Sequence, residues 1–210
     1  MRLRNNPQAN KILNESKYVI NSSKDKYFVN NNPLHLEIGM GKGDFIIGMA
    51  KKYPHINFIG VEKFATVLVY ALKKIETEQL TNVLLLNEDA LNLENYFKPQ
   101  TIATIYLNFS DPWPKSRHYK RRLTYRDYLK IYQKILVKDG FLKQKTDNKL
   151  LFESSILSFN DYGTNFEMIS VDLHQSKEAK DNVMSEYEKK FSRLGQPIYA
   201  ITISFKKGSK

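Results

Sequence analysis

LHLEIGMGKGDFIIGMAKKYPHINFIGVE, residues 34–62, decides how this chain folds. The apolar run Leu34–Ile38 has the length of a strand, and the glycine-rich GMGKG (39–43) breaks it. Phe45 to Tyr53 then sets Phe45, Ile46, Met49, Ala50 and Tyr53 on one helical face. A second apolar run, Asn57–Val61, ends at Glu62. Strand, crossover helix and strand in so short a span is the unit of a parallel sheet.

Working outward, the alternation continues. Phe64 to Glu78 reads as a helix with Val67, Leu68, Ala71, Leu72 and Ile75 at core spacing, and Val83–Leu86 as a third strand ending near Asp89. A short helix around Leu91–Phe97 leads to IATIYL (102–107), a fourth strand buried on both faces. Thr124 opens a helix carrying Tyr128, Leu129, Tyr132, Ile135 and Leu136, which Gly140 ends. Phe141–Thr146 predicts a fifth strand before Asp147, a helix follows through about Phe159, and Phe166–Leu173 predicts a sixth strand. Val183, Tyr187 and Phe191 share a face of the last helix. Tyr199, Ile201, Ile203 and Phe205 alternate, which predicts an antiparallel hairpin partner at a sheet edge. The expectation is an α/β fold in one domain, 34–210. Residues 1–33 read as a flexible basic extension with little regular structure, whose Arg2, Arg4, Lys11, Lys17, Lys24 and Lys26 are available to phosphates.

Composition narrows the chemistry. There is no cysteine, so disulfides and thiolate metal sites are excluded. His35, His55, His118 and His174 show no ligand spacing, and no metal is expected. No apolar run reaches the length of a membrane span and the polar start lacks a signal-peptide core, so the expectation is a cytoplasmic protein without membrane contact. The net charge of +11 leans toward a polyanionic partner, though much of it is Lys in an Asn-rich chain. Local clustering is the better signal.

That cluster is NFSDPWPKSRHYKRR (108–122). Pro112 and Pro114 stop the fourth strand, stiffen the loop, and predict extended conformations for Asp111 and Trp113. Asp111 is thus a carboxylate held at the carboxyl end of a strand, where ligands bind in open α/β sheets. Lys115, Arg117, Lys120, Arg121 and Arg122 follow it. Glu37, Glu62, Asp89 and Asp111 form a row of acids at successive strand ends, and the dinucleotide fingerprint fails because Asp44 stands where its third glycine belongs. Acids suit ribose hydroxyls and a cationic ligand better than phosphates. S-adenosylmethionine, with its sulfonium and ammonium groups, fits that pattern.

LEIGMGKG (36–43), GVEK (60–63), NEDA (87–90), NFSDPWPKSRHYKRRL (108–123), KTDN (145–148) and SEYEKKF (185–191) together resemble the bacterial tRNA (guanine-N7)-methyltransferase family. The resemblance implies a class I, Rossmann-like methyltransferase fold: a mostly parallel seven-stranded sheet with a C-terminal antiparallel strand. It implies S-adenosylmethionine-dependent methylation of guanine N7 at the variable-loop guanosine, position 46 in tRNA numbering. By the same likeness Glu37, Gly39, Gly41, Glu62, Lys63, Asp89, Ala90 and Asp111 line the cofactor, with Asp111 as the catalytic residue. Lys115, Asp147, Ser185, Glu186, Tyr187 and Glu188 meet the target nucleoside, and Arg117, His118, Tyr119, Lys120, Arg121 and Arg122 meet the tRNA. Ser185 stands where family members usually carry Thr, and it keeps the hydroxyl. Methylation of an exocyclic amine and a non-catalytic tRNA-binding module stay open as alternatives, as does the choice between monomer and homodimer.

Overall fold

The computed structural model describes residues 5–23 and 26–206. Seven strands make one sheet: β1 (Leu34–Ile38), β2 (Asn57–Val61), β3 (Val83–Leu86), β4 (Ile102–Asn108), β5 (Leu136–Thr146), β6 (Thr164–Ser170) and β7 (Tyr199–Phe205), in the order β3-β2-β1-β4-β5-β7-β6. β1 pairs in parallel with β2 and β4, β2 with β3, and β4 with β5, whereas β7 runs antiparallel to β5 and β6. The expected mostly parallel sheet with one antiparallel C-terminal strand is therefore present.

Helices cover both faces, which is why every residue of β2 is buried. On one face α2 (Asp44–Lys52) and α3 (Ala65–Glu78) bring Phe45, Ile46, Leu68, Leu72 and Ile75 against Phe58 and Leu85. On the other, α4 (Arg126–Ile135) and α5 (Lys149–Tyr162) bring Leu129, Tyr132 and Phe159 against Ile105 and Leu142. Among the described residues no helix is long and apolar enough to cross a membrane.

Four local expectations change. Residues 1–33 were expected to hold little regular structure, yet α1 (Ala9–Asn14) packs on α3 with Ala9 and Leu13 buried. Beyond it Val19 and Ile20 are buried too, and Ile20 N and Leu85 N donate to Leu85 O and Tyr18 O at 2.8 Å each, a short parallel rung beside β3. One and a half turns of helix give too little periodicity to read. Of the cations assigned to this segment, Arg2, Arg4 and Lys24 lie outside the described residues. The helix after Thr124 stops at Ile135, and Gly140 sits inside β5, where the ladder with β4 shifts register. A Cβ on Gly140 would meet Leu136 Cδ2 at 2.9 Å and Val137 O at 3.0 Å, so the glycine serves a bulge, not a helix stop. β6 ends at Ser170, short of Leu173. β7 is inserted between β5 and β6 instead of lying at the edge, and Ala200 and Thr202 on its second face are buried as well.

Gly43 is the hinge that aims α2. It precedes the helix at φ +77°, and a Cβ there would stand 2.9 Å from Ala71 Cβ on α3. Gly43→Ala combines a left-handed backbone penalty of about 1–2 kcal/mol with that overlap. A melting temperature lowered by several degrees, followed by circular dichroism, is the expected result.

Candidate active site

The carboxyl ends of β1, β2 and β4 come together at the glycine loop, and the surface they share is the candidate crevice. Gly41 has φ +58° and nothing within 4 Å of where a Cβ would sit, so the backbone there faces open space. Gly39, at φ +71°, is exposed beside it. Glu62 is 7% exposed; its Oε2 accepts from Gly41 N at 3.2 Å and its Oε1 from Phe64 N at 3.0 Å. Burial pushes its carboxyl up, and these two amides work against that shift. Lys63 is exposed, its ammonium 5.2 Å from the centre of the Phe64 ring. Asp89 caps the 3-10 turn Ala90–Asn95 through Leu91 N at 3.0 Å, and Ala90 is buried behind it. Asp44 is taken up by Lys74 of α3 at 2.7 Å.

Glu37 is the strongest electrostatic feature of the crevice. At 2% exposure, Oε1 accepts from Asn108 Nδ2 at 2.9 Å while Oε2 is buried with no hydrogen-bond partner. Burial drives its pKa to about 8, against the opposing pulls of Asn108, the Lys145 charge and the Ile46 backbone. Asn108 was inside the quoted motif, but its part in holding Glu37 was not legible there.

Asp111 lies three residues past β4, exposed and without a hydrogen bond or ion pair among the described residues. Asp147 lies one residue past β5; since Asn108 and Lys145 are paired in the ladder, both acids sit just beyond the same end of adjacent strands. Trp113 does not take the extended conformation expected of it: its φ is +43°, and Phe109 on the other side of Asp111 has φ +52°. Pro114 bars the right-handed helical region to Trp113, and outside contacts hold the left-handed alternative. Arg122 Nε donates to Pro112 O at 3.0 Å and Nη2 to Trp113 O at 3.2 Å. The Arg121 guanidinium lies 4.9 Å from the Trp113 ring centre, and His118 meets that ring edge-on at 5.7 Å. Three residues expected to grip tRNA are thus engaged with the loop. Lys115, Arg117 and Lys120 are exposed with unengaged side chains among the described residues, and Tyr119 packs edge-on against Tyr125 at 5.2 Å.

The last segment also departs from expectation. Ser185 caps α6 (Glu186–Arg193), its Oγ accepting from Glu188 N at 3.1 Å. Glu186 pairs with Lys42 of the glycine loop at 3.2 Å, and exposed Tyr187 stacks near-parallel on Phe109 with ring centres 6.4 Å apart. Glu188, expected to hold a base, is 0% exposed. Its Oε2 pairs with Lys145 Nζ at 2.6 Å, and Oε1 meets His174 Nε2 at 2.9 Å and the Asn182 amide. Burial alone would raise its carboxyl; Lys145, His174 and Asn182 outweigh that and hold it below the ordinary range. In this arrangement Glu188 is an anchor with no oxygen to spare. Lys145, His174 and Asn182 gave no signal in the sequence beyond the place of Lys145 in KTDN.

A family model described as "Putative methyltransferase" matches residues 31–201. The tRNA (guanine-N(7)-)-methyltransferase of Oceanobacillus iheyensis is 52% identical, covering 99% of this chain and 100% of that one. The chain belongs to the tRNA (guanine-N7)-methyltransferase family. The tRNA (guanine-N(7)-)-methyltransferase of Bacillus subtilis, at 47% identity, covers 98% and 100%. The fold is shared far more widely: a SAM dependent methyltransferase from Aquifex aeolicus superposes with a TM-score of 0.58 at 12% identity, over 96% of this chain and 94% of that one. Among the described residues Glu37, Glu62, Asp89 and Asp111 take part in no ion pair, which suits a ligand bringing hydroxyls and positive charge.

Two outcomes follow from this electrostatics. Glu37 keeps its proton in the fold up to about pH 8, whereas the unfolded chain releases it near 4.5. Its contribution therefore favours the fold fully below 4.5 and is lost as pH rises toward 8. In melts without ligand, Glu37→Gln is expected to exceed the parent at pH 8 and converge with it near pH 5. Glu188→Ala strands Lys145 in the interior and is expected to cost about 3–5 kcal/mol by denaturant titration, while replacing both partners with apolar residues costs far less.

Proposed function

We propose that this chain transfers a methyl group from S-adenosylmethionine to N7 of a guanine in tRNA, at the variable-loop guanosine numbered 46. The observation that carries the reading is a set of carboxyls free of ion pairs among the described residues, Glu37, Glu62, Asp89 and Asp111, beside the exposed Lys115, Arg117 and Lys120. The relatives that share the whole chain bear the name of that activity. A tRNA substrate brings with it a cytoplasmic setting.

When bound, S-adenosylmethionine supplies an electrophilic methyl group on a sulfonium. Gly39 and Gly41 admit the ligand close to the backbone, with Lys63, Asp89 and Ala90 around it. Glu62, fixed by two amides, keeps lone pairs for ribose hydroxyls. Glu37 offers its bare oxygen to a donor, and a cationic ligand beside it favours the ionised form.

Guanine N7 carries an in-plane lone pair, so no proton has to leave before attack and no general base is required. What remains is alignment, worth up to roughly 7–11 kcal/mol in favourable intramolecular cases. Positive charge also spreads onto the purine as the methyl group arrives. Asp111, unpaired and fixed by its loop, stabilises that charge. Lys115, Asp147 and the start of α6 surround the target nucleoside, and Tyr187 offers a ring face for a splayed base. Arg117, Tyr119 and Lys120 face the polynucleotide, while Glu188, Arg121, Arg122 and His118 serve the frame.

Incubation with unmodified tRNA and labelled S-adenosylmethionine, then nucleoside mapping, is expected to give 7-methylguanosine at one variable-loop site. Label on an exocyclic amine, or none despite bound cofactor, refutes the reading. Asp111→Asn is expected to lower turnover by about a hundredfold at saturating tRNA.

A further inference from the structure

We propose that Arg122 is a positioning residue for methyl transfer: it clamps the loop that aims Asp111 and makes no contact with the tRNA backbone. The inference rests on the placement of Asp111 at the reacting centre given above.

The loop has too many acceptors and too few donors. Pro112 and Pro114 carry no N–H, so the turn cannot close on itself by the usual backbone hydrogen bonds. Phe109 and Trp113, on either side of Asp111, both take left-handed backbone values that bulky residues avoid. Such a conformation persists only when neighbours enforce it. Arg122 does so by spanning two consecutive carbonyls, Nε to Pro112 O at 3.0 Å and Nη2 to Trp113 O at 3.2 Å. A planar guanidinium presents two donors in that fixed fork, and an ammonium does not.

The clamp is itself held. Arg122 N donates to Tyr119 O at 3.1 Å and Tyr125 N to Arg122 O at 2.8 Å, which ties its backbone to the start of α4. Arg121 and His118 brace the Trp113 ring from two sides. Arg122 is half-buried, whereas Lys115, Arg117, Lys120 and Arg121 stand exposed around it, Arg121 laying its guanidinium over the Trp113 ring. The basic run thus divides into cations turned inward to the loop and cations turned outward to solvent. Asp111 immediately precedes the first clamped residue, so releasing Pro112 O and Trp113 O lets the carboxylate swing.

The test compares Arg122→Ala, Arg122→Lys and Lys120→Ala in the full chain, with kcat at saturating tRNA, tRNA affinity across a salt series, and the fluorescence of Trp113, the single tryptophan. For both Arg122 variants kcat is expected to fall about ten- to a hundredfold. Their salt slope is expected to stay at the parent value, with Trp113 emission shifted to the red and more easily quenched. Free guanidinium should restore part of the kcat of Arg122→Ala. Lys120→Ala should instead lower the salt slope by about 0.7–0.9 and leave the Trp113 emission at the parent value. A parent-like kcat for Arg122→Ala with a reduced salt slope overturns the clamp. If that variant does not fold, Arg122→Lys decides by the same split. Asp111→Ala run alongside separates the two readings: parent-like turnover there sinks the role of Asp111, while Trp113 emission still reports whether Arg122 holds the loop.

Discussion

Glu188 holds Lys145 where water barely reaches, and most of the site's order descends from that pair. Helix α6 turns one residue fully inward, and that residue is a charge. Buried ion pairs add little net stability over apolar packing, but a broken one is costly. They give a helix a single seat rather than a tight one. Lys145 Nζ also donates to Asn182 Oδ1 and Val183 O, both at 2.9 Å, so its three donors are used on α6 and the segment leading to it. A lysine so committed is felt by Glu37 only at a distance, and the crevice carboxyl keeps its bare oxygen.

A chain with 33 basic and 22 acidic side chains could easily neutralise its own binding acids. It does not. Asp44, Glu186 and Glu188 pair with lysines, whereas none of the ion pairs among the described residues includes Glu37, Glu62, Asp89 or Asp111. The loop after β4 shows the same economy with cations: some support the backbone, and others face outward. Phe109 joins the two arrangements, because its ring lies between Tyr187 and Phe191 of α6 while its backbone begins the Asp111 loop.

The periodic parts of the fold were legible. β1, β2 and β3 fall where the apolar runs put them, since strands buried between helix layers read as continuous hydrophobic stretches. Departures occur where a local cue has two meanings. Gly140 can stop a helix or make a bulge, and the bulge won because β5 begins directly after Ile135. The alternation in β7 signalled one covered face, but β6 closes beside it and the strand lies inside the sheet. At the site, residue types were legible and their commitments were not. Arg121 and Arg122 look like Arg117 in sequence; only the fold shows two of them bent back onto the Trp113 ring and the Pro112 and Trp113 carbonyls. Glu188 is likewise an ordinary helix acid until Lys145, His174 and Asn182 converge on it.

The segment at Tyr18–Ile20 has a bearing on how these molecules behave toward one another. Bonded to Leu85 through both its neighbouring backbone groups, it occupies the outer side of β3, where a sheet would otherwise present an unfilled row of amides and carbonyls. Cut that segment away and the sheet acquires an adhesive border. Truncated fragments would then tend to associate border to border, even with the interior intact.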